Sequence, residues 1–359
     1  YGWSLGLRGI LCPTARQRGR PVHTVLSHNS ALEMLRSVPP QTGLLATRDT
    51  PLEVSQTSSS LKRLRSLMPS MAAVRQRPVH ILVSPTCRRG FHEEVRIHQT
   101  HHPRIPAGLL LEVSDDLLCC GPELTFLQMA GETSLIGASV LGFELCGAYA
   151  HFSQMISGFY DRPALTSKVR ISEALAKLPG ARGTRRAKEA LALVVDGSRS
   201  PMETVLAGAL SFPTCLGGCA FEQPRLNYQV ILDQAAAGVA GVSRCYLDLA
   251  WPAQKRALEY DGAAWHTDAR ADRRRREALA HMGWTVNVID LGDISSIASL
   301  AGTVRLIQDC IPRESDEPID LGNLKDLLSR LLKATRFGLG ANAALFGVPV
   351  KKGLINVHL

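Results

Sequence analysis

The sequence predicts a mixed α/β chain, more closely α+β, and three observations carry that expectation. Short apolar, strand-like runs recur at Pro78–Ser84, Leu109–Val113, Asn227–Leu232 and Tyr246–Trp251. Helix-period apolar patterns lie between them, as at Pro122–Ala130 and Leu321–Leu332. A hydrophobic fraction of 45% and a charged fraction of 20% over 359 residues are those of a globular chain with room for two or three domains.

Taken in order, Ser30–Arg36 predicts an amphipathic helix, capped by Asn29 or Ser30. Residues 37–57 are rich in Pro, Thr and Gly and read as a loop. Leu61, Leu64 and Leu67 sit at helical spacing among Lys62, Arg63 and Arg65; the pattern fits a basic recognition helix or a solvated helix face. Pro78–Ser84 and Leu109–Val113 predict strands, Pro122–Ala130 a helix entered after Gly121, and Ser139–Tyr149 a further apolar helix. His98, His101 and His102 are close in sequence; with no carboxylate at ligand spacing, a loop cluster is the simpler reading than a metal site. Residues 163–195 are mostly helical. They are interrupted by the basic, Gly-broken turn Gly180–Lys188, whose Arg185 and Arg186 suit phosphate contact or a plain linker.

A boundary follows at Ser198–Ser200. Ser200 as N-cap, Pro201 at N1 and Glu203 at N3 spell a capping box for a helix to about Leu210. Asn227–Leu232 predicts a strand and Ala235–Gly241 a turn. Tyr246–Trp251 and Ala257–Tyr260 then form two apolar runs around Pro252–Lys255, the layout of a hairpin. Alternation sets Glu259 and Asp261 on one face, and the hairpin brings Asp248 beside them. Clustered carboxylates repel unless a cation joins them, and hard oxygen donors suit Mg²⁺ or Mn²⁺. His266 follows closely, with a near-neutral imidazole fit to accept a proton. The helix expected over Ala269–Met282 carries Arg270, Arg273 and Arg274, suited to flanking phosphates. Its Asp272 has Arg275 and Arg276 at ion-pair spacing. Trp284–Ile289 predicts a buried strand, with helices over Ile294–Ile311 and Leu321–Leu332.

The net charge of +9 suits a polyanionic partner without requiring one. Nine cysteines at scattered spacings complete no zinc pattern and fit free thiols in a reducing cytosol. No stretch is long and apolar enough to span a membrane. Basic Arg16, Arg18 and Arg20 follow the apolar Trp3–Cys12, the reverse of a secretory signal, so a cytoplasmic location is expected.

The ordered series Ser200-Pro201-Met202-Glu203, Leu247–Trp251, Leu258–Gly262, Trp265-His266, Asp272–Arg275 and Gly283–Val286 resembles the small bacterial nuclease domain called domain of unknown function 559. That domain is similar to the very-short-patch-repair endonuclease and belongs to the PD-(D/E)xK superfamily. The resemblance covers about residues 198–289. It implies a restriction-endonuclease-like mixed sheet flanked by helices and Mg²⁺- or Mn²⁺-dependent hydrolysis of DNA. Asp248 would be the motif aspartate, Glu259 the second acid, Glu203 the helix acid and His266 the base. Asp261 stands where the superfamily has Lys, which removes a transition-state cation. The N-terminal part, through Pro78–Val83, Arg88–Gly90 and Ser114–Ala130, resembles the winged-helix and antitoxin-type regions of abortive-infection (AbiEi-like) proteins.

These readings divide the chain into a helical, winged-helix-like 1–70, an antitoxin-like α/β 71–197, a nuclease domain 198–311 and a C-terminal helix and tail 312–359. The expected function is a metal-dependent DNA endonuclease in repair or mobile-element defence. The alternative is a non-catalytic DNA-binding regulator or antitoxin that keeps the nuclease fold as a scaffold. DNA is the expected partner, a homodimer one arrangement, and a membrane none.

Overall fold

A short buried strand precedes the first helix of the described chain. The structure is a computed structural model, and it describes residues 23–37, 46–54, 78–86, 94–152, 157–261 and 269–335. Packing separates two units, Tyr1–Ala138 with Leu165–Ala192, and Ser139–Ala164 with Leu193–Leu359. Both α-helices and β-strands contribute throughout, so the class is mixed α and β.

In the first unit, β1 (Thr24–Leu26) runs directly into α1 (His28–Ser37). The helix therefore starts before the expected cap. Ser30 lies inside it, and its hydroxyl accepts from the His80 amide at 2.9 Å rather than capping its own helix. Then come β2 (Ala46–Thr47), β3 (Leu52–Glu53), β4 (Val79–Val83), β5 (Val95–Gln99), β6 (Arg104–Ile105), β7 (Leu110–Ser114) and β8 (Leu117–Cys120). Six of them form one sheet in the order β2-β7-β8-β1-β4-β5. Only β1–β8 and β4–β5 pair in parallel. Strand β4 is buried at every position, its four aliphatic residues and His80 alike, as befits a strand inside a sheet. Helix α1 packs on it and against α2 (Pro122–Ala130), which in turn meets β8. Pro122 opens α2, where its missing N–H costs nothing. Residues 55–77 and 87–93, which hold the Ser58–Met68 pattern and Arg88–Gly90, lie outside the described residues.

Helix α3 (Leu135–Leu145) stops short of the predicted end, and Tyr149 instead enters strand β9 (Tyr149–His151), paired with β10 (Phe159–Asp161). The turn that follows the helix needs glycine at 147: a Cβ there would meet Phe143 O at 2.5 Å and Ser198 O at 2.6 Å. Helices α4 (Lys168–Lys177) and α5 (Thr184–Leu193) follow as the apolar spacing predicts.

The second unit is built on α6 (Pro201–Ser211), buried along its whole length, and a four-stranded sheet. After β11 (Arg225–Ile231), the segment expected as a turn is helix α7 (Gln234–Ala240). Asp233 caps it by accepting from Ala236 N at 2.8 Å, and Gly241 closes it in the left-handed conformation. The interior Gly238 masked a run of alanines whose helix propensity is the highest available. Strands β12 (Arg244–Trp251) and β13 (Arg256–Tyr260) form the predicted hairpin, closed by Gln254 N to Trp251 O at 3.2 Å. Helix α8 (Ala269–His281) leads back to β14 (Thr285–Ile289), parallel to β13. That strand is half-buried rather than buried, with Val288 exposed, because it is the sheet edge. The Lys255 ammonium, in the hairpin turn, donates to Met282 O at 2.8 Å just beyond α8. Leu247, Ala257, Leu279 and Trp284 share the core between sheet and helix. Beyond it, the helix expected over Ile294–Ile311 is confined to α9 (Ile297–Arg305), preceded by a 3₁₀ turn at Gly292–Ile294, and α10 (Leu321–Ala334) packs on α6. No helix among the described residues is long and apolar enough to cross a membrane.

Candidate active site

The antiparallel registers decide where the acids fall. Leu226 faces Leu249, and Leu249 faces Leu258. One step along each strand, the same registers set Asn227, Asp248 and Glu259 side by side across β11, β12 and β13. Period-two alternation puts all three on one face. Asn227 holds a positive φ of 48°, a conformation Asn tolerates better than most residues.

Glu203 reaches this row from the first turn of α6. Ser200 caps that turn, accepting from Glu203 N at 3.1 Å. The Glu203 carboxylate does not close the expected box onto the Ser200 amide. Its Oε2 accepts from Arg199 N at 2.8 Å and from Asn227 Nδ2 at 2.6 Å. Asn227 also donates to Gly197 O at 3.0 Å, which fixes its amide. Burial, and then the Asp248 charge, push the Glu203 carboxyl up to about 8 from an ordinary 4.5, against the pull of the Arg199, Ser200 and Asn227 hydrogen bonds. At neutral pH this group therefore holds a proton.

Asp248 Oδ2 accepts from Tyr260 N at 3.0 Å, so the carboxylate takes a main-chain donor of the neighbouring strand. Glu259 is clamped by Arg275 of α8. Nη1 donates to Oε2 at 3.1 Å, Nη2 binds Oε1, and Nη2 also reaches Tyr246 O. The Glu259 side chain is 12% exposed and that of Arg275 28%. Burial raises the Glu259 carboxyl despite the opposing Arg275, and Asp248 adds to the rise. For Arg275 burial lowers the pKa, but Glu259 outweighs it and the guanidinium is held above its ordinary value. Arg275 thus turns to the sheet and clamps Glu259.

Asp261 follows β13, its amide bonded to Ile289 O at 2.8 Å. His266 and Trp265 lie outside the described residues. Arg270, Arg273 and Arg274 are exposed on the first turns of α8, and Arg273 pairs with Glu277 at 2.8 Å. Arg185 and Arg186 belong to the other unit. There Arg186 donates to Thr133 O at 2.6 Å, and Arg185 lies 3.7 Å from Glu189. The glycine of their turn serves the backbone: Gly183, at φ +92°, leaves a Cβ position only 2.7 Å from Leu127 O.

The structure thus brings Glu203, Asp248 and Glu259 into one electrostatic group. Among the described residues, carboxylates do not place three ligand oxygens within 4.8 Å of one another; the group that meets this distance is His28, His80 and His98. Two members of the acid site escaped the sequence reading. Asn227 looked like an ordinary strand residue, and its position one residue off the core alternation was its only signal. Arg275 was read, with Arg276, only as one of two possible ion-pair partners of Asp272 on its own helix. Comparison with protein-family models, characterised proteins and solved structures returned no match.

Proposed function

We propose that the unit carrying β11–β14 is a restriction-endonuclease-like phosphodiesterase domain acting on DNA with Mg²⁺ or Mn²⁺. The observation that supports it best is the gathering of three acids, the Asp248 charge raising both Glu203 and Glu259, with Asp248 and Glu259 one residue beyond the paired Leu249 and Leu258. Folding spends stability to hold like charges together, and such an arrangement is characteristic of a site rather than of a core. The donors fit a hard divalent ion: Asp248 and Glu259 would hold it, once Arg275 releases Glu259. Bound there, the ion supplies charge neutralisation for the phosphodiester and activation of water. Glu203 keeps a proton beside Asp248 and limits the charge the pair must bear. His266 is the proposed base. Arg270, Arg273 and Arg274 would hold flanking phosphates.

The Arg275–Glu259 clamp favours a second reading, in which the fold is a DNA-binding scaffold without catalysis. An arginine that already neutralises Glu259 leaves a metal less to do. Plasmid nicking with Mg²⁺ or Mn²⁺ separates the two. The wild-type chain is expected to nick, and Asp248→Ala to lose about 100-fold or more in rate, the scale of removing one charge-stabilising group. Equal cleavage by both refutes the site. DNA binding that is insensitive to chelator, with no cleavage, establishes the scaffold.

A further inference from the structure

Three histidines from separate segments of the first unit meet at one point. His80 comes from β4, His98 from the neighbouring β5, and His28 from the entry to α1. His98 Nε2 lies 3.0 Å from His80 Nδ1. The His28 ring stacks on His98 with centroids 3.6 Å apart and planes 19° apart. One ligand nitrogen from each imidazole lies within 4.8 Å of the other two. His101 and His102, the neighbours the sequence grouped with His98, take no part. They stand edge-to-face at 5.0 Å, and His102 Nε2 bonds Pro179 O at 3.0 Å.

We propose that His28, His80 and His98 bind a transition-metal ion, Zn²⁺ being the best match, with water in the remaining position. Three imidazoles on an ion with an open position is a known zinc arrangement, and nitrogen donors without oxygen exclude Mg²⁺ as the preferred ion. Bonds of about 2.0–2.1 Å require neighbouring nitrogens only a few tenths of an ångström farther apart than the His80–His98 contact. Ring rotation supplies the rest for His28.

The surroundings prepare the ligands. Ser27 Oγ sits 3.1 Å from His28 Nδ1, which leaves Nε2 as the coordinating atom, the usual division of labour in a metal-bound imidazole. The His28 amide donates to Gln128 Oε1 at 3.0 Å and the His80 amide to Ser30 Oγ at 2.9 Å, so both backbones are pinned. His28 itself adopts φ +49°. Burial first, then His98, His80, Arg182 and Arg96, lower the His28 pKa to about 2. Burial and Arg96 lower that of His80, with Glu132 opposing. Neutral imidazole is the ligating form, so protons compete weakly with a metal for these two rings. The proton between His80 and His98 moves to the other nitrogen of its ring on binding, a tautomer change with no net release. Nothing in this site depends on the carboxylates of the second unit.

The test uses the full chain after treatment with chelator, titrated with Zn²⁺ against a chromophoric chelator and with Co²⁺ by visible absorption. One equivalent of Zn²⁺ is expected to bind, unchanged in Asp248→Ala and His101→Gln. In His98→Gln, whose side chain is only half-buried, affinity should fall more than about 100-fold, beyond the scale of losing an outer hydrogen-bond partner. Circular dichroism of that variant should match the wild type. The Co²⁺ adduct should show ligand-field bands without thiolate charge transfer. Undiminished affinity in His98→Gln, a thiolate band placing the metal on cysteine, or no uptake by the wild type would each overturn the proposal.

Discussion

Glu203 is where the site's electrostatics become a measurable property of the fold. Its folded pKa of about 8 lies above the ordinary 4.5, so the folded chain binds more protons between those values than the unfolded chain does. The stabilisation is therefore fully present below pH 4.5 and is lost as pH rises toward 8, then levels off. Glu203→Gln keeps an acceptor for Arg199 N and Asn227 and removes the titration. Urea unfolding at pH 5 and pH 8 should show a decline in the wild type that this variant lacks, on the order of a few kcal/mol. The Ser200 cap and the helix it opens were written in Ser200-Pro201-Met202-Glu203, because a capped helix start is local information; the reciprocal bond expected of Glu203 was not made. The partner that ties Glu203 to the sheet was not written there, because Asn227 lies 24 positions away and nothing near it in sequence marks an amide for that use. Arg275 shows the same limit. Helical spacing offered Asp272, whereas tertiary packing presented Glu259, a buried acid with a greater need of a cation.

Among the elements, the β12–β13 hairpin was the most legible, since two alternating runs around a proline turn need only each other to be recognised. Helix α7 was the least, because one glycine hid three alanines. The stretch joining α6 to β11 depends on glycine in a different way. Gly217, at φ +94°, lies under α10 with its Cβ position 2.6 Å from Asn323 O. Gly217→Ala meets both a left-handed backbone, worth roughly 1–2 kcal/mol, and a backbone clash, worth roughly 1–3. The variant should unfold at lower temperature by calorimetry, through loosening of α10 from α6. Conservative exchange elsewhere on α10's exposed face should leave the midpoint within a degree or so, since surface changes cost little.

At the scale of the molecule, alternating strand and helix patterns foretold a mixed α/β chain, and that class is present. The sheet order β2-β7-β8-β1-β4-β5 was beyond reach, because the pairing of β1 with β8 joins residues far apart in sequence through contacts no local pattern specifies. The charge of +9 has its own consequence if the second unit engages DNA. Affinity should fall with salt, and Arg273→Ala or Arg274→Ala should each reduce the log–log slope by about 1, one phosphate contact apiece. Fluorescence anisotropy of a labelled duplex between low and moderate salt measures it; an unchanged slope would remove those arginines from the interface.

Helix α8 is tied to the sheet at two places, by Arg275 at Glu259 and Tyr246 O, and by the Lys255 ammonium at Met282 O just beyond its end. Releasing the first fastening leaves the second in place. If the second unit holds a metal as proposed, an ion arriving at Glu259 would have the Arg275 guanidinium to displace, a rotation of one side chain, while the Lys255 tie keeps the end of the helix berthed against the strand turn.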